Sequence, residues 1–194
     1  MTRLYFTTHA DVVIDPDIPV TDWGLTERGF ARHQAFAERV QNIGSIWSSD
    51  EQKARDGAGI VADHLGLTPN VLPSLHENDR SSTGYLAGDV FWTQVDAFFA
   101  EPEVSVNGWE KALDAQSRIV HAVTDIVQKE TQAELSKDIA IVAHGGVGAL
   151  LRAHVLGQPI SRDHNQPPGK GGFCMVLDFL SMKMMQDWTL IEEI

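Results

Sequence analysis

The sequence lacks most of what a disulfide-stapled, membrane-spanning or nucleic-acid-binding protein needs. It holds a single cysteine, Cys174, which rules out an internal disulfide framework and fits a reducing compartment. No apolar run approaches the roughly 18 residues of a membrane span, and the N-terminus has no charged region followed by an apolar one. A cytoplasmic location away from membranes is therefore expected. Positive charge is scarce, 15 Lys and Arg against 27 Asp and Glu, for a formal net charge of −12. A field of that sign repels phosphate backbones and anionic lipid surfaces, so nucleic acid is not an expected partner, and a small anionic substrate must be met by local cations and N–H donors. There is no His-Glu-x-x-His and no paired-cysteine spacing, so neither a metal nor a cofactor is expected. The Gly-x-Ser-x-Gly elbow of a serine hydrolase is missing too. Gly145-Gly146-Val147-Gly148 follows an apolar run, but Leu151 occupies the place of the third glycine in a dinucleotide fingerprint.

What the chain does contain suits one domain, residues 1–194, with 43% hydrophobic and 22% charged residues. Leu4 to Phe6 reads as a strand, and Asp11 to Asp22, interrupted by Pro16 and Pro19, as a loop. Thr26 is a plausible N-cap for a helix to about Asn42, with Phe30, Phe36, Val40 and Ile43 recurring near helical spacing. Ser45-Ile46-Trp47 reads as a buried strand. Ser48-Ser49-Asp50 opens a helix that Gly66 stops. After Val71-Leu72, the stretch 74–106 changes character and carries Phe91, Trp92, Phe98 and Phe99, which suggests a small helical cap insertion. A long amphipathic helix covers Gly108 to Glu130, Ile139 to Ala143 is a strand, Val147 to Leu156 a helix, and Phe173 to Phe179 with Lys183 to Leu190 a terminal strand pair. This alternation predicts an α/β three-layer sandwich, its central sheet mostly parallel with helices on both faces.

Two of the strands end on a histidine, His9 and His144, and in an open α/β sheet the C-terminal edge is where ligands bind. Taken singly, most histidines in a protein are structural. Here the order of features adds content: His9 ending the first strand, Leu25-Thr26-Glu27-Arg28-Gly29 opening a helix, Ser48-Ser49 followed by Lys53-Ala54, the glutamate of Leu75-His76-Glu77, Gly108-Trp109-Glu110 with Arg118 beyond it, and Ala143-His144-Gly145-Gly146. In that order the sequence resembles the histidine phosphatase superfamily, the family of the phosphoglycerate mutases. The resemblance implies a metal-independent phosphoric monoester hydrolase in which His9 takes the phosphoryl group, His144 holds its oxygens, and Glu77 is the general acid, kept protonated by a raised pKa.

The first motif of that family is Arg-His-Gly, whereas here it is Thr8-His9-Ala10. The later arginine aligns with Lys53, a point charge in place of a planar fork. A phosphatase would need replacement donors, for which Arg80 is the foremost candidate and Asn78, Lys170 and the Thr8 hydroxyl are weaker ones. The alternative is a non-catalytic relative that binds a phosphorylated or other anionic ligand, or a protein partner, in the same pocket. An exposed aromatic patch on the cap would favour a homodimer.

Overall fold

In the computed structural model, which describes residues 2–134 and 136–194, β1 (Arg3–Thr8), β2 (Ile43–Ser48), β3 (Asn70–Val71), β4 (Asp138–Ala143), β5 (Phe173–Asp178) and β6 (Met184–Leu190) form one mixed sheet. Their spatial order is β3-β2-β4-β1-β5-β6. β3, β2, β4 and β1 pair in parallel, while β5 pairs antiparallel with both β1 and β6. The mostly parallel sheet read from the sequence is what forms. β4 is buried along its whole length, which is why Ile139-Ala140-Ile141-Val142-Ala143 is apolar throughout instead of alternating.

The pleat divides the core in two. Leu4, Phe6, Ile139, Ile141, Met175 and Leu177 pack beneath α3 (Gly88–Ala100), α4 (Ala112–Gln132) and α5 (Gly145–Val155). Tyr5, Ala140, Val142, Cys174 and Val176 pack on the opposite face beneath α1 (Glu27–Arg39) and α2 (Gln52–Leu65). Thr26 caps α1 by accepting the Gly29 N–H at 3.1 Å. Gly66 ends α2 in the left-handed region, φ 67°.

Two helices differ from the sequence reading. Phe30 was expected on the inner face of α1 but is exposed, and Arg32 and His33 are buried in its place with Phe36. Both contact the residues that leave β1, and those polar contacts set the helix's rotation. α4 starts at Ala112 instead of Gly108, because Val106–Gly108 forms a 3-10 turn with Asn107 and Gly108 at positive φ. In the 74–106 segment, Val95, Phe98 and Phe99 of α3 are buried against Trp109, and Trp92 stays half exposed.

Candidate active site

β1, β2 and β4 are parallel, so their C-terminal ends meet at one edge of the sheet, and the residues just beyond them are His9, Ser49 and His144. Backbone bonds from His9 N–H to the Ala143 carbonyl (3.0 Å) and from Ser49 N–H to the Val142 carbonyl (3.3 Å) fix this convergence. The imidazoles of His9 and His144 stand edge to face with centroids 5.3 Å apart.

His9 Nδ1 lies 3.0 Å from the Ala10 carbonyl. A carbonyl only accepts, so Nδ1 carries the proton and Nε2 keeps its lone pair. Burial, reinforced by the nearby Lys53 ammonium, lowers the pKa of His9 to about 4, so the ring is neutral at physiological pH. Ala10 is held in turn: its N–H donates to Nε2 of the fully buried His33 at 3.2 Å. Burial lowers His33 to about 3, which keeps it a neutral acceptor. From the other side, the Gly172 N–H donates to the His9 carbonyl at 2.9 Å. Gly171 and Gly172 adopt φ of 72° and 70°, and a Cβ on Gly171 would sit 2.2 Å from the His9 oxygen, so only glycine fits the loop there. Arg32 ties the assembly together, donating to Asp11, to the carbonyls of Gly171 and Gly172, and to Glu192.

His144 is fully buried, and burial holds its pKa well below the ordinary histidine value. Its Nε2 is 2.7 Å from Ser49 Oγ and 3.4 Å from Glu51 Oε1, while Nδ1 has no hydrogen-bond partner. Glu51 is buried with Lys53, and the two form an ion pair. The Lys53 ammonium also donates to the Val20 carbonyl at 2.7 Å.

Glu77 reaches the N-terminus of α5, where its two oxygens accept the N–H groups of Gly146 and Val147, each at 2.9 Å. Its backbone N–H donates to Glu51 Oε1 at 2.9 Å. The segment before it is held by Arg118, which pairs with Glu110 at 2.7 Å and donates to the carbonyls of Ser74, His76 and Glu77. Burial pushes the Glu77 pKa up. Arg80, His144 and the Gly146 N–H outweigh burial, and the net shift is below the ordinary carboxylate value.

His9, Glu77, Asn78 and Arg80 line a cleft of about 1030 Å³. The Arg80 guanidinium lies 5.4 Å from the Phe91 ring centroid and 5.7 Å from that of Trp109. No acceptor among the described residues takes its N–H groups. Asn78 is 6% exposed and its Nδ2 is unpartnered. Gln166 lines the same cleft; Thr8 Oγ1 accepts the Phe173 N–H at 3.1 Å and donates to Gln166 Oε1 at 2.7 Å, which leaves the Gln166 amide nitrogen as a donor beside Gly145.

Comparison with known families now decides the kinship: the model of the histidine phosphatase superfamily, branch 1, matches residues 15–177. The chain belongs to that superfamily. Similar solved structures include mycobacterial glucosyl-3-phosphoglycerate phosphatase with inorganic phosphate, at 23% identity and a TM-score of 0.78 over 99% of both chains. Another is YhfR from Bacillus stearothermophilus, at 21% identity and TM-score 0.80 over 98% of this chain and 100% of that one. TTHB049 from Thermus thermophilus follows at 20% identity and TM-score 0.66 over 97% and 100%. At these identities the likeness is one of fold. No curated protein matches the chain.

Within this histidine phosphatase chain, the residues singled out from the sequence separate into two groups. His9, Glu77, Asn78 and Arg80 share the cleft, with His144 packed behind His9. Thr8 and Lys53 do not reach it: the Thr8 hydroxyl is consumed by Gln166 and Phe173, and the Lys53 ammonium by Glu51 and Val20. Lys170 is exposed, and its loop acts through the backbone of Gly171 and Gly172. The raised pKa expected for Glu77 is corrected, since the α5 N–H groups and Arg80 favour its charged form. Sequence reading missed Gln166, Glu51 and His33. His33 had a faint signal, a histidine interrupting the apolar face of α1, whereas Gln166 and Glu51 had none.

Proposed function

We propose that the chain is a phosphatase that hydrolyses a small phosphomonoester in the cytoplasm through a phosphohistidine at His9. The observation that carries this reading is the pinned, neutral His9: Nδ1–H is spent on the Ala10 carbonyl, and the Nε2 lone pair shares its cleft with the unpaired guanidinium of Arg80. Arg80, with the free N–H groups of Asn78 Nδ2 and Gln166 Nε2, meets the phosphoryl oxygens. Arg80 supplies the cation that the Thr8-His9-Ala10 motif lacks.

In the first step His9 Nε2 forms a bond to phosphorus while the ester P–O bond breaks, and the departing oxygen must gain a proton. Glu77 is ionised in the free protein, so that proton arrives with the substrate, as the monoanion of an ester whose second pKa is about 6. Glu77 receives it and passes it to the leaving oxygen. In the second step Glu77 takes a proton from water, whose oxygen attacks phosphorus and restores the Nε2 lone pair. The family membership and a fold shared with a mycobacterial glucosyl-3-phosphoglycerate phosphatase support this reading.

The test is hydrolysis of p-nitrophenyl phosphate and other small monoesters, with trapping of the acid-labile phosphoenzyme by an alkaline denaturing quench. The wild type turns over and traps phosphate, and His9→Ala does neither; equal behaviour of the two would overturn the proposal. One observation favours a second reading, a non-catalytic relative that binds an anionic ligand. The Lys53–Glu51 pair spends the cation that stands at the family's arginine position and places a carboxylate near His144. Calorimetry separates the two, because phosphate binding that survives His9→Ala without any turnover supports the second.

A further inference from the structure

The cleft has a second lobe of about 670 Å³ that shares Glu77, Asn78, Arg80, Phe91, Trp92 and Trp109 with the first but does not include His9. Its own apolar walls come from two distant parts of the chain, Ile14, Val20 and Trp23 before α1, and Tyr85 and Leu86 before α3. Trp23 and Tyr85 join these parts, ring centroids 5.3 Å apart in an edge-to-face contact.

We infer that this second lobe is the leaving-group site, and that it takes the aromatic or bulky apolar alcohol of a phosphomonoester whose phosphate is the only anionic group. The inference rests on the phosphatase reading for its chemistry and on three independent observations for its specificity.

The first is geometric. Phosphoryl transfer keeps the attacking and leaving atoms roughly in line. His9 lines only the first lobe, whereas Glu77, Asn78 and Arg80 line both, so a phosphate held by Arg80 with His9 on one side directs its ester group into the second lobe. The second is the state of the indoles. Trp23 Nε1 donates to the Asp15 carbonyl at 2.8 Å and Trp109 Nε1 to Thr83 Oγ1 at 2.8 Å. Their polar edges are satisfied within the protein, so these two buried indoles, 7% and 2% exposed, close the wall without presenting a free donor. Trp92 and Tyr85 are 50% and 37% exposed, so a ligand has apolar surface to cover.

The third is charge. Among the described residues Arg80 is the sole Lys or Arg lining the second lobe, beside Asp50, Glu51, Glu77 and Asp79. In the first lobe Arg152 is paired with Asp187 and Arg162 with Asp96. One guanidinium is free for one phosphate. A carboxylate on the same substrate would find no cation and would face the acidic rim, so a phosphorylated sugar acid is a poor fit.

Uncleavable phosphonates test the specificity apart from the chemistry. In calorimetric titrations of the whole protein, 1-naphthylmethylphosphonate is expected to bind about tenfold or more tightly than methylphosphonate, and phosphonopropionate no more tightly than methylphosphonate. In the variant carrying Tyr85→Ala and Trp92→Ala, the naphthyl preference shrinks towards one. Equal binding of naphthyl and methyl phosphonates, or a preference for the carboxylated one, overturns the inference, and the wild-type comparison decides even if the variant fails to fold. Retained naphthyl preference with no turnover of 1-naphthyl phosphate would instead count against the phosphatase reading alone.

Discussion

At the scale of the residue, the site turns on which cation is available. Lys53 is buried against Glu51 and a carbonyl, whereas Arg80 is stacked on aromatic rings with its N–H fork unclaimed. Removing a preorganised donor to a developing oxyanion costs about 100- to 1,000-fold in rate. Arg80→Ala is therefore expected to lower kcat/KM for p-nitrophenyl phosphate by about that factor, and Arg80→Lys to recover only part, because an ammonium cannot replace the planar fork. An unchanged kcat/KM in Arg80→Ala would place the clamp elsewhere. In the proposed mechanism His9 sets the acid limb of activity: it must be neutral to attack, so kcat/KM is expected to fall as pH drops through about 4. The ester's second ionisation near about 6 sets the other limb, because the monoanion carries the proton that ionised Glu77 lacks. The expected profile is a bell centred near about pH 5, and a profile still rising above neutrality would contradict the assigned protonation states. Thr8 has become a strut. Thr8→Val leaves the Phe173 N–H without an acceptor and is expected to destabilise by about 1–3 kcal/mol in urea unfolding.

At the scale of the element, α5 and the loop after β3 form one device. The first N–H groups of α5 have no partner within the helix, and Glu77 supplies it, so helix and carboxylate orient each other. A Cβ on Gly146 would approach Glu77 Oε1 to 2.6 Å. Gly146→Ala is thus expected to displace the carboxylate and lower kcat more than it raises KM, a split that steady-state kinetics would read. Arg118 acts through Glu77 as a positioning residue, holding three carbonyls of the same loop against α4. In Arg118→Ala, amide hydrogen exchange over residues 74–79 should quicken while β4 keeps its protection; unchanged exchange there would mean that other contacts suffice.

At the scale of the whole molecule, holding the half-buried His9 and the buried His33 and His144 in neutral form links stability to pH. An unfolded histidine takes its proton near 6.5, whereas folded His9 and His33 do so only near about 4 and about 3. Between those values the unfolded state binds more protons, so stability falls as pH drops below about 6.5, by about 1.4 kcal/mol per pH unit for each such group. The urea midpoint is expected to be lower at pH 5 than at pH 7, a window above the ordinary titration of carboxylates. An equal midpoint at both would show that these rings are not buried neutral. The net charge of −12 has its own consequence: the anionic ester proposed as substrate would enter against a repelling field, so salt is expected to raise its association rate.

Much of this molecule was legible in the chain. Apolar runs of strand length, Thr26 before a helical pattern and Gly66 after one specify local structure through short-range forces, and the alternation of strands and helices leaves few ways to bury both faces of a sheet. The same runs show His9 and His144 at strand ends, and parallel strands then bring such ends to one edge. Tertiary structure alone decided which polar groups were already spent. Lys53 and Thr8 stand at motif positions yet are consumed, Lys53 by its near neighbour Glu51 and the carbonyl of distant Val20, Thr8 by Gln166, and the approach of Val20 and Gln166 depends on how loops far apart in sequence close over the sheet. Glu77 likewise became a charged helix cap instead of a protonated acid, because the N-terminus of α5 lies against it in space and nothing in the local sequence specifies that approach.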